Sequence, residues 1–240
     1  MKWLLQMVLI MILGLFLLIA PRIGGYVADM FQYASIDPDG AFMWIVVHHV
    51  VQTLVILLVL FVIAKIGKIN FRLGTGDKEA GMKYLKRFML FFTIYVVVAF
   101  AITIAADAFQ PFQYPMTARN VLGYLGFQLF LTGPSEEIIF RAFAMTMFVV
   151  IANNKRLHER LSYANLFAII VFAMAHMAFS FNPFRVSYFL PQVVLAIVLG
   201  YFYGDCYEKS RSVVYPMLMH SFSNVISVGL TVILSLFIGV

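Results

Sequence analysis

The chain has 240 residues, of which 63% are hydrophobic and 12% charged, with a formal net charge of +6. A soluble domain averages roughly 45–50% apolar and about 25% charged, so the surplus must face lipid and a water-soluble domain is excluded. The positive charge invites a nucleic-acid reading, which the placement of the basic residues removes, as the order of the elements shows.

Each span needs ~20 mainly apolar residues to cross a ~30 Å core. Spans are expected at about 3–20, 42–64, 88–106, 119–152, 163–181, 186–204 and 213–238. The first follows Met1-Lys2 and runs to Ala20 without an A-x-A-like cleavage site. It is longer than the roughly 7–15 residues of a signal-peptide core, so it reads as an uncleaved span. His48 and His49 sit near a span end, away from the other polar groups, and read as interface histidines. The fourth stretch is too long for one straight crossing and contains Gly133-Pro134. Proline disfavours helix in the residue before it and suits the first turn of a helix after it. A break or kink is therefore expected near Gly133, with a fresh turn starting at Pro134 or Ser135. The fold class that results is all-α, a polytopic membrane bundle of about seven transmembrane helices. It forms one integral-membrane domain, 1–240, with N-terminal spans over 1–118 and catalytic core spans over 119–238. Cys206 is the only cysteine, so no disulfide framework exists, and it reads as a small interface residue.

Basic residues set the orientation. Lys2, the loop from Lys65 to Arg87, Lys155, Arg156, Arg160, Lys209 and Arg211 all fall on one side. Arg22, Arg119 and Arg185 fall on the other, which also carries Asp29, Asp37, Asp39 and Asp107. By the positive-inside rule the N-terminus and the basic loops are cytoplasmic. That segregation accounts for the net charge without nucleic acid.

Within this apolar chain, Glu136, Glu137 and Arg141 fall inside one span. An ionisable side chain near the bilayer centre costs at least ~2.5–3.5 kcal/mol, so intramembrane charges point to function. Glu137 and Arg141 are i and i+4 with the acid N-terminal, the favoured order for a helical ion pair. Glu136 is rotated about 100° away and is free to act on something else. Both acids would lie in the first turn of a helix beginning near Gly133, where the dipole favours the ionised form. His176 follows Phe172 by four residues, so the two rings share a helix face. His220 and Asn224 are also i and i+4 and project to one point. A histidine beside an asparagine amide can form a hole for a developing oxyanion. The H-E-x-x-H pattern is absent, as are a serine in a nucleophile context, a Gly-rich phosphate loop and an intramembrane Asp pair. What remains is a glutamate with one or two histidines. Such a set activates water directly, or holds a divalent metal such as zinc through Glu136, His176 and His220.

These motifs resemble those of the CAAX prenyl protease and bacteriocin-processing (CPBP) family of intramembrane proteins, also called the Abi family. Its pattern is E-E-x-x-x-R, then F-x-x-x-H, then H-x-x-x-N. The sequence has Glu136-Glu137…Arg141, Phe172…His176 and His220…Asn224 in that order. The match spans about Gly123 to Val228, and the first three spans carry no part of it. The resemblance implies a glutamate-dependent membrane endopeptidase in which Glu136 and His176 activate water and His220 and Asn224 stabilise the oxyanion. Glu137, Arg141 and Phe172 would support the site. It implies no cofactor, although many relatives carry the older label of metalloprotease, which keeps zinc as the alternative. The partners implied are membrane lipid and a peptide or protein substrate, prenylated in eukaryotic relatives, with no nucleic acid. The short chain is similar to prokaryotic members, which places it in a plasma membrane. Two rival classes are a proton-coupled transporter, which would show repeats or several broken helices, and a non-enzymatic immunity or scaffold protein. The latter would have no need of His176, His220 and Asn224 together. The catalytic reading expects Glu136, His176, His220 and Asn224 to line one cavity reached from the cytoplasmic side.

Overall fold

The computed structural model describes residues 2–153 and 155–238. Of the single domain expected over 1–240, Met1, Asn154, Gly239 and Val240 lie outside the described residues. Helix α1 (Lys2–Ile19) is followed at once by the short α2 (Arg22–Ala28). Then come α3 (Met43–Gly67) and α4 (Lys78–Ala105). A continuous helical stretch, α5, covers 118–152. Helices α6 (Tyr163–Ala175), α7 (Leu190–Ser210) and α8 (Val214–Ile238) complete the bundle. Two small antiparallel hairpins lie between them, β1 (Arg156–His158) with β2 (Leu161–Ser162), and β3 (Ala178–Phe181) with β4 (Phe184–Ser187). Five helical stretches are long and apolar enough to cross a membrane: Lys2–Ala28, α3, α4, α7 and α8. With α5 and the shorter apolar α6 they make the all-α bundle of about seven helices that hydropathy implies.

Three helices differ from the hydropathy reading: α7 runs Leu190–Ser210 where 186–204 is expected, and the other two differ for a local reason. Helix α4 starts ten residues before the expected position 88, because the Asp77 side chain accepts from the Ala80 amide and caps it at Lys78. Its first turns are basic and polar, so hydropathy sees only the later ones. Helix α6 ends at Ala175 instead of 181, and the apolar residues beyond it turn back as β3 and β4. Phe179 and Val186, each flanked by smaller or polar residues, follow the two-residue period of a strand, which a hydropathy window averages away.

Lipid cannot satisfy backbone or side-chain hydrogen bonds, so polar groups must find each other inside the bundle. Gln52, Gln128, Glu137, Arg141, Asp205 and His220 are buried, while Leu58, Phe61, Phe91 and Ile94 face outward. The helix ends are tied at two levels. At the end that carries the basic loops, Gln6 Nε2 donates to the Ile151 carbonyl at 3.0 Å, and the Val213 amide donates to the Arg72 carbonyl at 3.0 Å. Ser212 Oγ donates to the Gly74 carbonyl there, and Arg156 pairs with Glu208 at 2.9 Å. At the opposite end, Trp44 Nε1 donates to Asp29 Oδ1 at 2.7 Å and Asn120 Nδ2 donates to Asp39 Oδ2 at 2.9 Å. Asp37 accepts from the amides of Ala41, Phe42 and Met43 and so anchors the start of α3. Burial works against its charge, but the three amide donors hold its carboxyl below the usual range.

The interruption at Gly133-Pro134 takes a form that the sequence reading does not anticipate. The chain never leaves helical angles: Thr132 and Gly133 both have φ and ψ near −57°. Instead the pitch widens to π-helix at Gln128–Thr132, returns to α at Gly133–Glu137, and widens again at Ile138–Met145. Proline removes one amide donor and crowds the carbonyl four residues back, and a wide turn just before it relieves both problems. The consequence corrects one expectation. Because the helix is continuous, Glu136 does not sit at an open N-terminus, and no free helix dipole end stabilises its charge.

Candidate active site

Glu137 and Arg141 are both fully buried and pair at 2.9 Å through Oε1 and Nη1. The second guanidinium nitrogen, Nη2, donates to the Gly200 carbonyl on α7 at 3.2 Å. The Arg141 cation also lies over the rings of Phe172, at 4.7 Å, and Tyr203, at 5.3 Å. One side chain thereby ties α5 to α6 and α7. Glu137 Oε1 meets His220 Nδ1 of α8 at 2.8 Å as well. A carboxylate only accepts, so Nδ1 carries the proton, and the orientation of the His220 ring is set. That ring stacks on Tyr203 at 5.0 Å and turns its Nε2 to within 3.9 Å of Glu136 Oε2.

Glu136 has the different surroundings that its rotation around the helix implies. Its Oε2 is buried without a hydrogen-bond partner, and the residue lines a cavity of about 460 Å³. His176 stands in the same wall, immediately after α6. Its Nδ1 bonds the Phe172 carbonyl at 2.8 Å. A carbonyl also only accepts, so in the neutral ring the proton is on Nδ1 and Nε2 is the base. The Phe172 ring meets the imidazole edge to face at 4.7 Å, which holds its plane.

His220 and Asn224 are not among the residues that line this cavity, so the expected single four-residue wall is corrected. His220 faces the two glutamates. Asn224 Nδ2 donates to Gln128 Oε1 at 2.9 Å, and Thr132 Oγ1 donates to the same oxygen at 3.1 Å. Gln128 is the partner that the sequence reading missed. Its signal was legible as a Gln–Thr i, i+4 pair in an apolar stretch. The cavity instead recruits His48, His49 and Gln52 from α3. His49 is buried, with Nδ1 at 2.6 Å from Ser135 Oγ and 3.1 Å from the Gln52 amide. Both histidines, expected to stand apart from the other polar groups, thus share a wall with Glu136 and His176. Their place in the wall follows from how α3 packs against α5, a contact 86 positions apart in the chain. The cavity also lies at the end of the bundle opposite the basic loops, since Pro21, Met177, Ala178 and Gln192 complete it. The expected cytoplasmic approach would place the lining near the basic loops, and these four residues lie away from them.

Gly133 sets the spacing between the two main elements of the site. A Cβ there would lie 2.5 Å from Ser221 Oγ, 2.7 Å from the Met217 carbonyl and 2.8 Å from the Ser221 amide. Two of these are backbone atoms of α8, so the helices would have to part. Gly133→Ala is expected to cost ~1–3 kcal/mol as overpacking does, and to move Glu136 away from His220. Thermal unfolding in detergent measures it; an unchanged midpoint would show that α5 and α8 do not need this contact.

Among the described residues, no three His, Cys, Asp or Glu side chains converge closely enough to hold a metal ion. His220 Nδ1 bonds Glu137 and His176 Nδ1 bonds the Phe172 carbonyl, which leaves the Nε2 atom of each ring as the one that would take a metal. No curated protein and no solved structure matches the chain. Residues 117–226, which hold every motif residue from Glu136 to Asn224, match the family model described as type II CAAX prenyl endopeptidase Rce1-like.

Proposed function

With residues 117–226 a domain of the Rce1-like type II CAAX endopeptidase family, we propose that the chain is a glutamate-dependent intramembrane endopeptidase. The observation that carries this reading is Glu136, a carboxylate in a cavity wall with one buried oxygen that no protein group hydrogen-bonds. Water held between that oxygen and His176 Nε2 attacks the scissile carbonyl carbon while Glu136 accepts its proton. The proton then passes to the departing amine, and the peptide C–N bond breaks. His220, its Nδ1 held by Glu137 at 2.8 Å, would present Nε2 beside the reacting centre, 3.9 Å from Glu136 Oε2. Asn224 supplies a second donor, kept in orientation by Gln128. Glu137 and Arg141 hold this arrangement and do not react.

The substrate is a membrane-associated peptide or protein, and prenylation of it is an open arm of the test. The N-terminus and the basic loops are assigned to the cytoplasmic face of a prokaryotic plasma membrane. The experiment is cleavage of a membrane-associated peptide library by purified protein in detergent, with and without chelator. Turnover that survives chelation is expected. Turnover that chelator silences and Zn²⁺ restores would transfer Glu136, His176 and His220 to a metal. Asn224→Ala is expected to retain a trace of activity, since loss of one oxyanion donor typically costs ~10²–10³ in rate. A rate within twofold of the parent chain would remove Asn224 from the oxyanion site.

A further inference from the structure

The two ends of the bundle are unlike, and the cavity belongs to only one of them. At the basic end, the connectors interlock: Phe71 and Val213 are buried, Tyr207 Oη donates to the Phe71 carbonyl, and Asp77 accepts the cap of α4. Phe71, Val213 and Tyr207 belong to an apolar cluster that includes Leu60, Ala168, Met145, Ile139 and Phe140. Ile139 and Phe140 are themselves part of the cavity wall. The cluster therefore plugs the cavity on its basic side. At the other end, the walls are Pro21 just after α1, His48 in the second turn of α3, Ala178 at the foot of β3 and Gln192 in the first turn of α7. Pro21, His48 and Gln192 lie in the parts of the chain remote from the basic loops, and Ala178 follows the corresponding end of α6. Gln192 and Ala178 are exposed or half-exposed, whereas Ile139 and Phe140 are buried.

We infer that the cavity is loaded from the membrane face opposite the basic loops, and that its substrates are polypeptide segments presented on that face. By the positive-inside rule this is the non-cytoplasmic face. The substrate half of the inference rests on the peptidase reading; the access half does not. It sets the substrate class: a membrane-anchored polypeptide whose scissile segment has been translocated or protrudes outward, and not a C-terminus that remains in the cytoplasm. The polar lining suits such a segment, because His48, Gln52 and Gln192 offer hydrogen-bond partners to an extended backbone that has none in lipid.

Two measurements test it in intact cells that express the full chain. The first places single cysteines at Gln192→Cys, in the mouth, and at Lys68→Cys, in a basic loop. Cys206 is fully buried and provides the unlabelled background. A membrane-impermeant maleimide is expected to label Gln192→Cys in intact cells and Lys68→Cys only after permeabilisation. The reverse pattern overturns the inference, and so does a Gln192→Cys that stays unlabelled even after permeabilisation. The second presents the same randomised peptide segment on a single-span reporter, either outside or in the cytoplasm. Cleavage confined to the outward display supports the inference, and cleavage confined to the cytoplasmic display overturns it. Outward labelling with no cleavage of either display leaves the access route standing and counts against the peptidase reading instead.

Discussion

Glu136→Gln is expected to abolish peptide cleavage while the protein stays folded. The amide keeps the shape of the carboxylate but cannot accept a proton from water. Glu136 makes no hydrogen bond through Oε2, and Arg141 is already committed to Glu137, so the substitution strands no buried partner. General-base catalysis contributes roughly 10²–10⁴ in rate, which sets the size of the expected loss. His176→Ala is expected to do nearly the same, because its Nε2 is the other proton-accepting atom of the cavity wall. Cleavage of the peptide library and thermal unfolding are read on the same preparation. Full turnover by Glu136→Gln would sink the glutamate mechanism.

Arg141→Ala has the largest expected effect on stability. It removes the Nη1 bond to Glu137, the Nη2 bond to the Gly200 carbonyl and the contacts with Phe172 and Tyr203 in one step. Glu137 would keep only its contact with His220 Nδ1 among the described residues, at a position that its neighbours bury completely. Removing one member of a buried pair costs ~3–5 kcal/mol, so loss of folded protein accompanies loss of activity. Arg141→Lys separates charge from geometry. An ammonium restores the charge but cannot reproduce the planar fork that reaches both Glu137 and Gly200. Its unfolding midpoint is expected between those of Arg141→Ala and the parent chain. An Arg141→Ala protein that purifies with normal thermal stability would remove the supporting role.

The two variants also separate the neighbouring glutamates. A defect confined to turnover belongs to Glu136, and a defect that begins with folding belongs to Glu137 and its guanidinium. The distinction was legible in the sequence, because adjacent residues on a helix diverge by about 100° and only Glu137 stands four before Arg141.

The membrane class, the helical bundle and the grouping of Phe172 with His176 were all legible without coordinates. Each depends on composition or on the spacing of residues within one helix, and helical periodicity alone places such residues on one face. The composition of the cavity was not legible. His48, His49 and Gln52 enter it because α3 packs against α5, and no local period encodes which face of one helix meets which face of another. The same holds for Asn224, which the sequence pairs with His220 and the fold pairs with Gln128. The pitch of α5 required the tertiary structure too: a proline announces a disturbance, but whether the chain breaks or widens to π depends on the helices that confine it. Charge along the sequence separates the two ends of the bundle, but only the packing among α1, α3, α5 and α6 shows toward which end the cavity lined by Glu136 and His176 lies.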